Sequence, residues 1–156
     1  MIEAFVESRI LAALRGLSFP CPVTVSGAYE PVPAGEVKDY EAAADDVARI
    51  GVAAASPAFD AFDSPLCNVE VSIAVAVRRD ADPTGAHTLD VLSAVSDLLL
   101  RWQLSEDATS AAFDGPEFSA GGVQLSFGTP PEFDAELSRW IVSRTLTVRG
   151  AIPQTT

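Results

Sequence analysis

The chain predicts an α+β fold, a two-layer sandwich in which a mostly antiparallel sheet of about five strands carries two helices packed on one face. Three observations lead there. From Asn68 to Arg79, the aliphatics Val69, Val71, Ile73, Val75 and Val77 alternate with Glu70, Ser72, Ala74, Ala76 and Arg78, so one long strand has an apolar side and a wettable one. Two other stretches, 2–17 and 85–102, place apolar residues at three- and four-residue steps, and each is therefore a helix with a face to bury. No internal repeat interrupts the order helix, two strands, long strand, helix, two strands.

In the first helix Ile2, Phe5, Val6, Ile10, Ala13, Leu14 and Leu17 share a face, Glu3, Glu7 and Arg15 fall elsewhere, and Gly16 and Pro20 bracket its end. Val23-Thr-Val-Ser makes a short strand. The loop from Gly27 to Gly35 is broken by Pro31 and Pro33, and the acidic, alanine-rich stretch Asp39 to Asp46 is either a short helix or a disordered arm. Val47-Ala-Arg-Ile-Gly-Val-Ala-Ala-Ala is expected as a strand, because Gly51 and the lack of a polar stripe argue against a helix. Ser56 to Leu66 mixes Phe59 and Phe62 with Asp60, Asp63, Pro57 and Pro65 and is expected to be irregular. Its two rings either fold back over their own core or pack on another subunit.

After the long strand, Asp80-Ala-Asp-Pro-Thr-Gly turns the chain into the second helix, capped by Asp82 or Thr84. There Leu92, Val95, Leu99 and Trp102 form the buried face. Leu104 to Gly115 is polar and turn-rich. Val123, Leu125 and Phe127 alternate in the next strand, Pro130-Pro131 breaks it, and a last strand runs from about Leu137 to Arg149 with Arg144 on the same side as Trp140, Val142, Leu146 and Val148. The whole chain, 1–156, is expected as one domain with exposed loops near 27–46, 56–66 and 104–119.

The formal net charge of −12 repels phosphate, so sequence-specific nucleic-acid binding is not expected. No apolar run approaches the roughly 20 residues of a spanning helix, so no membrane is expected either. Cys21 and Cys67 are too few and too far apart for a disulfide framework or a zinc site and are expected as free thiols. Glu3 and Glu7 stand where a secretory signal needs basic residues, which implies synthesis in a reducing cytoplasm.

The sequence offers little for catalysis. His87 is the only histidine, at the start of the second helix, so any nucleophile-histidine-acid arrangement would rest on it. Ala120-Gly-Gly-Val lacks the lysine and the helix of a phosphate loop. Asp80 and Asp82 resemble the opening of a calcium loop, but its twelfth position is Val91 rather than Glu. The carboxylate pairs Asp45-Asp46, Glu106-Asp107 and Asp60 with Asp63 are expected on solvated surface. No catalytic residue, cofactor or metal is expected. Arg144 on an apolar face needs a carboxylate or carbonyl partner, within the domain or across a contact.

The N-terminal helix, the short strand, the loop-rich crossing, the paired strands around Val47 to Arg79, the helix Gly85 to Trp102, Gly122-Val-Gln-Leu-Ser-Phe-Gly and the closing Trp140-Ile-Val-Ser-Arg-Thr-Leu-Thr-Val-Arg-Gly together form an order of elements. That order resembles the small tail terminator, or tail completion, proteins of long-tailed bacteriophages. The stretches Asp39 to Asp46 and Leu104 to Ser119 fall outside the resemblance. It implies a structural, non-enzymatic virion protein of the tail and neck, made in the host cytoplasm. Its copies would form a hexameric ring that seats on the tail tube protein, stops tube polymerisation and presents a surface to the head-tail connector protein, with DNA passing through the lumen. On this basis Phe59, Asp60, Phe62 and Asp63 are candidates for the subunit or tube contact, and Arg144 and Arg149 for pairing between subunits. The alternatives are another neck component, such as a head completion or connector protein, or a small-molecule-binding α+β enzyme with a pocket at His87 or Arg144.

Overall fold

The computed structural model describes residues 1–31, 47–136 and 138–153. Along the chain these form α1 (Ile2–Arg15), β1 (Val23–Gly27), β2 (Ala48–Ala54), β3 (Ala58–Phe59), β4 (Leu66–Arg78), α2 (Ala86–Leu104), α3 (Glu106–Phe113), β5 (Ser119–Asp134) and β6 (Arg139–Ala151). The fold is α+β. Its mixed sheet runs β1-β2-β4-β6-β5, with the two-residue β3 alongside β4. Among the described residues β1 and β2 pair in parallel and the other pairings are antiparallel.

β4 is the organising strand, pairing with β2 on one side and along its whole length with β6 on the other. Its alternation has the expected consequence: Val69, Val71, Ile73, Val75 and Val77 are buried, whereas Glu70 and Ser72 are exposed. Ile50 and Val52 of β2 and Val142, Leu146 and Val148 of β6 join the same apolar layer. Val6, Ile10 and Leu14 of α1, Val91, Val95 and Leu99 of α2, and Phe113 of α3 close that layer into one core. The helices cover one side of the sheet, and the side bearing Ser72, Ser126 and Gln124 stays open.

The turn into α2 is fixed by Asp82, not Thr84. Its Oδ1 accepts from the His87 N–H (3.1 Å), and its Oδ2 accepts from the Thr88 N–H (2.9 Å) and hydroxyl (2.7 Å). Gly85, at φ 79°, supplies the left-handed residue that lets the chain enter the helix behind this cap. The Trp140 indole N–H donates to the Asp82 carbonyl at 2.9 Å, tying the turn to the start of β6.

Four expectations need correction. Leu104 to Gly115 is not merely turn-rich, because α3 occupies most of it. Ser105 caps that helix by accepting from the Ala108 N–H, the acids Glu106 and Asp107 sit in its first turn, and Phe113 plugs the core against Trp102. Among the described residues there are therefore three helices rather than two. Residues 56–66 are not wholly irregular, since Ala58 and Phe59 pair with Asn68 and Cys67. β5 is not ended by Pro130-Pro131 but runs through to Asp134. On an edge strand a proline whose nitrogen faces solvent gives up no ladder bond, and the register shifts on either side of Thr129 leave Pro130 and Pro131 out of the β6 ladder.

The fourth concerns Glu7, which falls off the apolar face read from the sequence yet is only 1 % exposed. Its carboxylate accepts from the Ala28 N–H (2.8 Å) and the Tyr29 N–H (2.9 Å) as the chain leaves β1. Gly27 makes room for it, since a Cβ there would stand 2.6 Å from Glu7 Oε2. The expected loop or arm at 32–46 and Leu137 lie outside the described residues.

Candidate assembly surface

Between β3 and β4 the chain makes a tight hairpin. The Asp60 N–H donates to the Leu66 carbonyl (3.0 Å), the Ser64 N–H to the Ala61 carbonyl (3.1 Å) and the Leu66 N–H to the Ser64 hydroxyl (3.1 Å). The Ile152 N–H reaches back to the Pro65 carbonyl at 3.0 Å, anchoring the tip to the chain after β6. Phe62 stands fully in solvent at this tip, and Phe59 (47 %) and Leu66 (41 %) are also exposed. Of the two fates open to the rings, Phe62 does not fold back over its own core.

Arg149 locks the hairpin to the sheet. Its Nη2 donates to Asp60 Oδ2 (2.6 Å), and its Nη1 donates to Asp60 Oδ1 (3.1 Å) and Asn68 Oδ1 (3.3 Å). These guanidinium hydrogen bonds hold the Asp60 carboxyl below the usual carboxylate range, and the same bonds push the Arg149 pKa up. Two expected interface residues thus meet inside one chain. Shallow hollows of about 240 and 230 Å³ flank the Arg149 side chain, sharing Gly122.

Arg144 shares the covered side of the sheet with Ile73, its cross-strand partner. Its Nη1 donates to the carbonyls of Thr129 (3.1 Å) and Ser143 (2.9 Å), so its partners are carbonyls within the domain. Among the described residues no carboxylate pairs with it.

Asp63 is exposed and makes no ion pair among the described residues.

At the other end of the hairpin formed by β5 and β6, Phe133 meets Trp140 edge-on at 5.5 Å between ring centroids. The Arg79 guanidinium lies 4.5 Å over the Phe133 ring. A hollow of about 510 Å³ opens there, lined by Thr129, Glu132, Phe133, Asp134, Ile141 and Ser143. Sequence patterning missed this place, because Pro130-Pro131 read as the end of a strand rather than its continuation.

One backbone group on each sheet edge is engaged by a helix side chain. Arg15 Nη2 donates to the Val25 carbonyl on β1 (2.9 Å), and the Leu125 N–H on β5 donates to Gln103 Oε1 (2.8 Å). Another strand cannot add at those groups without displacing them.

His87 is half-buried, and its Nδ1 has no hydrogen-bond partner among the described residues. The nearby Asp82 has both oxygens committed to the α2 cap, so it does not orient the imidazole for base catalysis. Burial pushes the thiols of Cys21 and Cys67 up in pKa, away from thiolate chemistry. Among the described residues no three His, Cys, Asp or Glu side chains converge as metal ligands, and no helix is long and apolar enough to cross a membrane. A scan against protein-family models finds no match, and a search of curated proteins finds none.

Proposed function

We propose that this chain is a structural virion protein, a tail terminator whose copies close into a hexameric ring. The ring caps the tail tube, stops its polymerisation and joins the tail to the head connector. The observation that carries this reading is the hairpin tip: Phe62 stands in water on a mount clamped by the pair of Asp60 and Arg149. A large ring on a rigid mount has already met much of the ordering cost of binding, which suits it to be an interface anchor.

Other features support the same reading. The open sheet side gives a stiff platform, and the helix side chains bonded to Val25 and Leu125 disfavour strand addition at those groups. The net charge of −12 suits a lumen through which DNA slides without adhering. The partners are further copies of the chain, the tail tube protein and the head-tail connector protein, in the virion neck. The order of elements that resembles tail terminators is the reason for favouring this member of the assembly class.

The test is to add purified chain to polymerising tail tube protein and measure tube length by negative-stain microscopy. Shortened tubes with an extra annulus at one end are expected. Tubes of unchanged length with bare ends would overturn the reading, and binding to the portal instead would assign the chain to another position in the neck.

A further inference from the structure

Arg79 and Asp63 form a complementary pair that one chain cannot bring together. Arg79 is exposed over Phe133 and, like Asp63, makes no ion pair among the described residues. Asp60, the other tip carboxylate, is neutralised by Arg149, so Asp63 sets the charge of the tip. Asp63 sits beside Phe62 on the hairpin that adjoins Ala151 at the end of β6, whereas the 510 Å³ hollow is lined by Ile141 and Ser143 near the start of that strand. Eight residues of extended strand separate Ser143 from Ala151, about 26 Å, so the tip of a chain cannot fill its own hollow.

We propose that the hollow receives the hairpin tip of a second copy of this chain, with Phe62 entering against Phe133 and Asp63 pairing with Arg79. This rests on the reading that the chain self-assembles. The contact is heterologous, one end of the sheet on one copy meeting the other end on the next, and such contacts generate rings when the rotation closes. Glu132 and Asp134, which both line the hollow, repel Asp63 away from it toward Arg79 over Phe133, and so fix the register.

The test is mass photometry over a concentration series on Phe62→Ala, Asp63→Arg, Arg79→Asp and the double variant D63R/R79D, each checked for folding by circular dichroism. Each single change is expected to raise the concentration for half-assembly about tenfold, which corresponds to about 1.4 kcal/mol, and the double reversal to recover most of that loss. Singles that assemble like the parent, or a double variant no better than the sum of its parts, would overturn the docking. If those singles still form rings that cap tubes, the docking fails and the proposed function stands. A parent chain that never assembles removes both, whereas rescue by the double variant without tube capping upholds the docking and contradicts the terminator role.

Discussion

Arg149 and Asp60, 89 positions apart in sequence, meet in a two-pronged pair that fastens the β3–β4 hairpin to the closing strand. Arg149→Ala is expected to leave the global fold standing but to speed amide hydrogen exchange across 58–66 several-fold. The pair also sets a pH dependence. The folded Asp60 pKa is depressed, so its contribution is present above the unfolded carboxylate value and is lost as pH falls through the folded one. Hairpin protection should therefore hold at neutral pH and fade below about pH 4, sooner at high salt. Protection in the parent that ignores acid and salt would contradict this.

Glu7 carries a second prediction. Replacing it with Ala leaves the amides of Ala28 and Tyr29 without their acceptor and is expected to cost about 1–3 kcal/mol in chemical denaturation. Glu7→Gln, which keeps one acceptor oxygen, should lose less. A solvated glutamate on the outer face of a helix would give a change within about 0.5 kcal/mol for either substitution.

Asp82 predicts an acid limb in global stability. Burial alone would raise its pKa, but the Thr88 hydroxyl, the amides of Thr88 and His87 and the nearby imidazole outweigh it and leave the carboxyl below its usual range. A depressed folded pKa gives stability present above the unfolded value and lost as pH falls through the folded one. Asp82→Asn should flatten the decline in melting temperature on the acid side, and Asp82→Ala should cost about 1–2 kcal/mol at neutral pH.

Gln103 guards the β5 edge. Gln103→Ala is expected to change stability by less than about 1 kcal/mol, because water replaces the lost acceptor at an exposed strand. It should nonetheless raise light scattering on prolonged incubation, as the freed Leu125 N–H opens the edge to pairing. Scattering equal to that of the parent would show that Pro130-Pro131 and the register shifts protect the edge unaided.

Much of the fold is legible in the sequence because burial on one side imposes a period. The alternation from Val69 to Val77 and the three- and four-residue steps of α1 and α2 each reflect a single apolar layer. What was not legible depends on contacts between distant residues. Glu7 looks like any surface acid until the chain leaving β1 brings two amides to it. Pro130-Pro131 looks like a break until β5 proves to be an edge strand. The short α3 was open to discovery, since Ser105 followed by Glu106 and Asp107 is a helix-start signal, but its polarity hid the single buried face that Thr109 and Phe113 provide. At the candidate surface, the exposed rings were visible as apolar residues among prolines and acids, whereas the partnership of Asp60 with Arg149 required the fold.

The most direct measurement of the central claim is the mass of the purified chain in solution by mass photometry across micromolar concentrations, with negative-stain images of the same sample. A species at six times the 16.4 kDa chain mass, seen as annuli end-on, is expected. A single 16.4 kDa species at every concentration, with featureless images, would contradict it.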